Sequence, residues 1–145
     1  MPNIISEELL PLFGFSGTVD ISESSPVDPP SNIIRTSESW FVRFNWTTSG
    51  LLNHVMCGTW KLQVLMERMG GQEFNLNGGI VTEAFVSAPH NYSKTITFPP
   101  STSPVPAGLY RVTVIITMTG AGGQPGPIAG YADLGLVQFY DSVIP

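Results

Sequence analysis

Apolar and polar residues alternate with a period of two along most of this chain of 145 residues. Such a period places successive side chains on opposite faces of an extended strand, whereas an α-helix needs a period of about 3.6 residues. No stretch of ten residues has helical spacing, and only residues 6–10 favour a single helical turn. The alternation is clearest in one series of apolar residues: Tyr110, Val112, Val114, Ile116 and Met118. The pattern therefore predicts an all-β protein.

Turn and loop signals divide this alternation into seven or eight short strands. The predicted strands cover residues 13–21, 40–46, 59–67, 72–76, 80–86, 92–98, 110–118 and 134–140. Three prolines and four serines exclude a central strand at residues 22–32 and predict a long connection across one end of the fold. A Gly/Pro-rich loop is predicted at residues 119–130. These strands predict an antiparallel β-sandwich of two sheets, formed by residues 13–140.

Charged residues are scarce in this chain. Six Lys and Arg and eleven Asp and Glu make up 12% of the residues, against about 25% in an average domain. Residues 112–132 contain no charged side chain. Because strands without Lys or Glu are the ones that pair with neighbours, this composition favours a homo-oligomer, a shell or a filament. The net charge of −5, without a basic cluster, argues against a nucleic-acid partner.

Targeting and membrane signals are not visible in the sequence. Residues 1–13 lack a positively charged region, and their apolar residues are interrupted by Ser6, Glu7 and Glu8, unlike a secretory signal. The longest strongly apolar run, residues 112–118, is far shorter than the roughly 20 residues that span a bilayer. We therefore expect a cytoplasmic protein without a membrane span. An extracellular location would require that a leader had been removed.

Residues 106–117 place a Pro/Gly turn before an aromatic residue and alternating Val and Thr, in the order Pro-Ala-Gly-Leu-Tyr-Arg-Val-Thr-Val-Ile-Ile-Thr. This segment resembles the penultimate strand of bacterial immunoglobulin-like and fibronectin-type-III-like domains. The resemblance implies an immunoglobulin-like sandwich in which Tyr110 forms a tyrosine corner with upstream backbone. It also implies that Trp60 is the core tryptophan. The paired cysteines of antibody-type domains are absent, and such a likeness implies a fold rather than a function.

Candidate catalytic residues are few. His54 and Cys57 form a His-x-x-Cys pair that could supply a reactive thiol or half of a metal site. A metal needs three or four ligands and His90 is the only other histidine, so we expect Cys57 to be packed as a small apolar group. Ser16 lacks the second glycine of a nucleophile elbow, and residues 120–126 lack the Lys and helix of a phosphate loop. We expect no enzyme, no metal and no cofactor.

Exposed aromatic residues offer a second functional hypothesis, a carbohydrate-binding module that also uses the long end loops. The alternation places most aromatic residues in the core, and we expect Phe41 and Tyr131 outside. The segments Asn45-Trp46-Thr47 and Asn91-Tyr92-Ser93 match glycosylation sequons. Without a signal peptide we interpret both matches as chance.

The two ends, residues 1–12 and 141–145, are apolar segments outside the predicted sandwich. The N-terminal segment either folds back over the core or reaches a neighbouring subunit as an arm. Our main hypothesis is a non-enzymatic structural or interaction protein that self-associates. The predicted contact residues lie in this segment, on outer strand faces and in the loop at residues 119–130: Ile4, Ile5, Leu9, Leu10, Phe41, Ile115, Pro125, Pro127 and Tyr131.

Overall fold

The computed structural model describes residues 2–7, 12–26, 28–71 and 73–142. Its regular elements are β1 (Ile5–Glu7), β2 (Gly14–Glu23), β3 (Ile33–Arg35), β4 (Trp40–Ser49), a 3₁₀ helix (Leu51–His54), β5 (Thr59–Arg68), β6 (Glu73–Phe74), β7 (Ile80–Ala84), β8 (Asn91–Phe98), β9 (Gly108–Thr119) and β10 (Pro125–Tyr140). The predicted all-β fold is confirmed. The sequence pattern missed β1 and β3, since three residues are too few to show a period.

Two sheets pack face to face. The small sheet has the order β2-β4-β8, and the large sheet is built on the central order β10-β9-β5. Each flank of the large sheet carries two short strands end to end: β1 and β3 pair with β10, and β6 and β7 pair with β5. The β3–β10 pairing is parallel, and the other strand pairs are antiparallel. This arrangement is an immunoglobulin-like β-sandwich.

Aromatic residues fill the centre of the core between the sheets. Trp60 is completely buried, with its ring centroid 5.6 Å from that of Phe15 and 5.7 Å from that of Tyr92. Tyr110 is also completely buried, and its hydroxyl donates a hydrogen bond to the Pro106 carbonyl oxygen over 2.8 Å. That bond has the geometry implied for a tyrosine corner.

The described part of the N-terminal segment folds back and joins both sheets. The backbone N–H of Ile4 donates to the carbonyl of Gly17 in the small sheet, while β1 pairs with β10 in the large one. Ile4 is buried against Gly130, where an added Cβ would lie 2.8 Å from the Ile4 Cγ2 atom. Over residues 2–7, the N-terminal segment therefore folds back over the core, which is the first of the two alternatives considered from the sequence.

The proline-rich connection leads from β2 in the small sheet to β3 in the large one, and it also lies over the outer face of β2 and β4. The Arg43 guanidinium of β4 donates to the backbone carbonyls of Pro26 and Asp28. Phe41 points to the same outer face two residues earlier and is 8% exposed. The prediction that Phe41 is an external contact residue is therefore wrong, because the chain's own loop covers this part of the sheet.

The Gly/Pro-rich loop predicted at residues 119–130 is shorter than expected. β10 begins at Pro125, and the turn is closed by a hydrogen bond from the Gly120 N–H to the Gln124 carbonyl. The register between β9 and β10 shifts between Pro125 and Ala129. The segment forms an irregular strand rather than a long loop. Ile128 is buried in the core, which holds this part of the chain on the sheet.

Candidate functional site

A row of mainly apolar side chains crosses the outer face of the large sheet at right angles to its strands. The strand register places one residue from each of five strands in this line. We call it the transverse row, in the order Ile5, Tyr131, Ile115, Gln63 and Ile80. Ile5, Tyr131 and Ile80 are exposed by 59%, 50% and 53%, respectively. A solvated sheet face normally carries polar side chains at such positions, so the row is a candidate contact surface.

A shallow groove adjoins the transverse row on the side of β5, β6 and β7. Its volume is about 620 Å³, and its lining includes Gln63, Leu65 and Ile80. Leu65 is 41% exposed and lies two residues from Gln63 on the same outer face. The apolar surface therefore extends beyond the row itself.

An ion pair lies on the same face beside the row. Arg111 and Asp133 contact each other through the guanidinium and the carboxylate, next to Thr113. The hydrogen bond from Arg111 lowers the pKa of Asp133, and a backbone N–H bond from Gly135 lowers it further. The carboxylate raises the pKa of Arg111 in return. Both groups stay charged at neutral pH, but they neutralise one another.

The structure brings three of the predicted contact residues together and places Ile4, Phe41 and Pro125 elsewhere. Ile5, Ile115 and Tyr131 meet in the transverse row. The prediction for Ile4 is wrong, since adjacent strand residues point to opposite faces and Ile4 is the one that enters the core. Pro125 is exposed where β10 begins, away from the row. Leu9, Leu10 and the side chain of Pro127 lie outside what the structure describes.

Sequence reasoning missed Ile80, Gln63 and Leu65 as members of this surface. Each was placed on a strand, but no local signal shows which strand lies beside which. Their juxtaposition depends on the pairing of β5 with β7 and β9. That register is a long-range property of the fold.

The outer face of the small sheet has a different chemistry, with side-chain hydroxyls and amides. The following residues occupy it outside the area covered by the proline-rich connection: Asn3, Ser16, Thr18, Asn45, Thr47, Asn91, Ser93, Thr95 and Thr97. The two sequon matches lie here on adjacent strands and pair reciprocally, Asn45 with Ser93 and Thr47 with Asn91. Both sequon matches are therefore explained by the alternation of neutral polar residues along two neighbouring strands.

In the part of the chain that the structure describes, the aromatic residues do not form an external platform for sugar stacking. Trp40, Trp46, Trp60 and Tyr92 are buried, as the alternation predicts for most aromatic residues, and Phe41 is buried as well. Tyr131 is half exposed, as expected, but it lies in the transverse row. Most of the aromatic residues that the carbohydrate hypothesis would use for stacking are therefore not accessible to a sugar.

The His54–Cys57 pair lies after β4 at one end of the sandwich. Cys57 is exposed, so the prediction that it is packed as an apolar group is wrong. It borders a pocket of about 260 Å³ together with Leu52 and Met56. Among the described residues, no three His, Cys, Asp or Glu side chains are grouped so that they could hold a metal ion. The described residues also include no helix with the length and apolar content needed to cross a bilayer.

The sequence matches no protein-family model and no curated protein. The fold is similar to solved structures. The C-terminal domain of Wzt is 12% identical with a TM-score of 0.57, over 92% of this chain and 81% of that chain. A CARDB domain from Pyrococcus furiosus is 11% identical with a TM-score of 0.49, over 93% and 100% of the two chains.

A Niemann-Pick type C2 protein from Japanese carpenter ant is 12% identical with a TM-score of 0.48, over 89% and 93% of the two chains. At such identities a likeness shows the fold alone, and the Wzt domain supports the β-sandwich. This architecture is compatible with a non-enzymatic binding or structural module.

Proposed function

We propose that this protein is a non-enzymatic β-sandwich module that self-associates through the outer face of its large sheet. The transverse row is the observation that carries the proposal. Three of its five residues are large apolar side chains that are at least half exposed: Ile5, Tyr131 and Ile80. Burying them against an apolar partner would release water from this surface and favour association.

The size of the face suits a stable interface. Five strand positions at a spacing of about 4.8 Å give a width of about 24 Å. Ten paired residues of β5 and β9 give a length of about 33 Å at strand rise. Because β1 and β7 are shorter than β5 and β9, the area is somewhat below the product of these lengths, about 800 Å². It is comparable to what each partner contributes to a standard protein interface.

The distribution of charge favours a second copy of the chain as the partner. Lys61 lies on one side of the transverse row, and Glu67 lies on the other side of it along the same strand. A copy rotated by 180° about the row keeps the row on itself. It places Lys61 opposite Leu65 of the other copy, two residues from Glu67 and within reach of that carboxylate for two long side chains. Such a two-fold contact is self-complementary in both apolar and charged groups.

Size-exclusion chromatography with light scattering tests this proposal. We expect the wild-type protein to associate as its concentration rises, and we expect Ile115→Lys to be monomeric because it introduces a charge at the centre of the face. The matched control is Thr97→Lys on the opposite, polar face, which should associate like the wild type. A wild type that stays monomeric at its solubility limit overturns the proposal, as does an Ile115→Lys variant that still associates.

A further inference from the structure

The outer face of the small sheet presents a regular array of neutral hydrogen-bonding side chains. Two cross-strand rows form its centre. One contains Ser16, Thr47 and Asn91, and the other contains Thr18, Asn45 and Ser93. Asn3 extends the second row, because it forms a bridge with Thr18. Neighbouring side chains are spaced about 4.8 Å across the strands and about 6.8 Å along them.

Two shallow, open depressions adjoin one another on this face, and together we call them the cleft. The first has a volume of about 500 Å³ and contains the array, with Asn3 at one end. The second has a volume of about 390 Å³ and is bordered by Pro89 and His90. Both depressions are lined by Thr47 and Asn91, so the surface is continuous from Asn3 to His90. A surface that crosses three strands suits a chain-like ligand.

The array is fixed by the sheet beneath it. The Thr47 hydroxyl donates to Asn91 Oδ1 over 2.9 Å and thereby orients that amide. The His90 backbone N–H donates to Thr48 Oγ1, and the His90 ring meets Tyr92 edge-on with centroids 4.6 Å apart. Because Thr47 and Asn91 are already ordered on strands and the His90 backbone is bonded to β4, a ligand would have little left to organise in order to bind.

The chemistry of the cleft identifies the class of ligand. Hydroxyl and amide groups both donate and accept hydrogen bonds, and so do the hydroxyls of a sugar. No Lys, Arg, Asp or Glu is among the residues that line either depression. Recognition of phosphate, sulfate or carboxylate groups is strengthened by charge-assisted hydrogen bonds, which the Ser, Thr and Asn side chains do not offer. His90 is the one lining residue that can carry a positive charge. Pro89 and His90 supply apolar surface for the C–H face of a sugar ring.

We propose that this cleft binds an uncharged oligosaccharide chain through the side chains of Ser16, Thr18, Asn45, Thr47, Asn91 and Ser93. The aromatic platform considered from the sequence is not involved. The cleft and the transverse row lie on opposite outer faces of the sandwich. Self-association through the large sheet would therefore leave the cleft open, and the two proposals fail independently.

A glycan array of the full chain is the first test, with neutral glucans, mannans and galactans beside uronic-acid and sulfated glycans. Calorimetry with the best neutral oligosaccharide then compares the wild type with the Asn45→Ala/Thr47→Ala double variant. We expect the affinity to fall at least about tenfold, because two hydrogen-bonding side chains of the cleft are removed, one of which, Thr47, lines both depressions. His90→Ala should weaken binding as well.

The matched control is Thr97→Ala, which alters the same face on β8 but lies outside the cleft. It should bind like the wild type, and all variants should keep the wild-type circular dichroism and thermal midpoint. Binding to anionic glycans alone, or to none, overturns the proposal. The proposal is also overturned if the Asn45→Ala/Thr47→Ala variant is folded and binds as tightly as the wild type.

Discussion

Asp20 of β2 and Arg43 of β4 lie directly opposite each other, and the Arg43 Nε–H donates to Asp20 Oδ1 over 2.6 Å. Asp20 is buried, although it points to the outer face of the small sheet. The same guanidinium holds the carbonyls of Pro26 and Asp28. One arginine therefore compensates a buried carboxylate and fixes the proline-rich connection on the sheet.

We expect Arg43→Ala to destabilise the protein by about 3 kcal/mol, because it leaves the Asp20 carboxylate buried without its partner. Urea unfolding gives this difference. Hydrogen exchange should show faster exchange at the Ser31 N–H, which bonds the Ile21 carbonyl and helps to hold the connection.

The matched control is Arg111→Ala, which breaks an ion pair on an exposed face and should cost less than about 1 kcal/mol. Equal losses in the two variants would show that Arg43 has no special role. The same conclusion would follow if exchange at Ser31 did not change.

We expect Tyr110→Phe to lower the stability at neutral pH by about 1 kcal/mol, because it removes the hydrogen bond to the Pro106 carbonyl. Burial raises the pKa of Tyr110 above its ordinary value of 10.0. As the pH rises past that value, the unfolded chain ionises at Tyr110 while the folded chain resists ionisation, so the contribution of the hydroxyl to stability is lost.

The difference between wild type and Tyr110→Phe should therefore stay constant up to about pH 9 and shrink as the pH rises through 10.0, when both are measured by urea unfolding. The comparison cancels the titration of the other tyrosines and lysines, which both proteins share. A difference that is constant with pH would contradict the assigned shift. A difference of zero at neutral pH would contradict the hydrogen bond.

The strands and the two sheets could be predicted because alternation is a local signal, and the aromatic core followed from the same pattern. Phe41 was misplaced for a different reason. Its position on the outer face of β4 was correct, but the connection that covers this face is held there by a contact between Arg43 and residues of the loop. A local sequence pattern does not predict such a long-range contact.

The candidate surface could likewise be predicted only in part from the sequence. Alternation identifies Ile115 and Tyr131 as outward-facing residues, but their alignment with Ile5 and Ile80 depends on register. Cys57 was expected to be buried because small apolar residues usually are. It lies in an exposed end loop, where burial depends on neighbours from elsewhere in the chain.

We expect Gly130→Ala to destabilise the protein by about 1–3 kcal/mol, because the added methyl group overpacks the site where the N-terminal segment joins the core. Its Cβ would lie 2.8 Å from Ile4 Cγ2 and 3.0 Å from Phe15 Cε1. Thermal unfolding gives the difference, and Ala129→Ser on the exposed face of β10 is the control.

A double-mutant cycle with Ile4→Ala shows whether the crowding arises at Ile4. Removing the Ile4 side chain should make Gly130→Ala less destabilising, with a coupling of about 0.5 kcal/mol or more. Additive effects would place the clash at Phe15 alone. The N-terminal segment would then not be held at Gly130.

Charge reversal tests the orientation of the proposed self-association. Lys61→Glu alone and Glu67→Lys alone should each weaken association, since each places like charges near one another across the two-fold contact. The double variant restores opposite charges and should associate nearly like the wild type. Sedimentation equilibrium measures the dissociation constants, and added salt should reduce the differences among the four proteins because exposed charges are screened. A double variant no tighter than the single variants would exclude this orientation. The Ile115→Lys variant would still test the apolar contact, because that test does not depend on the orientation of the two copies.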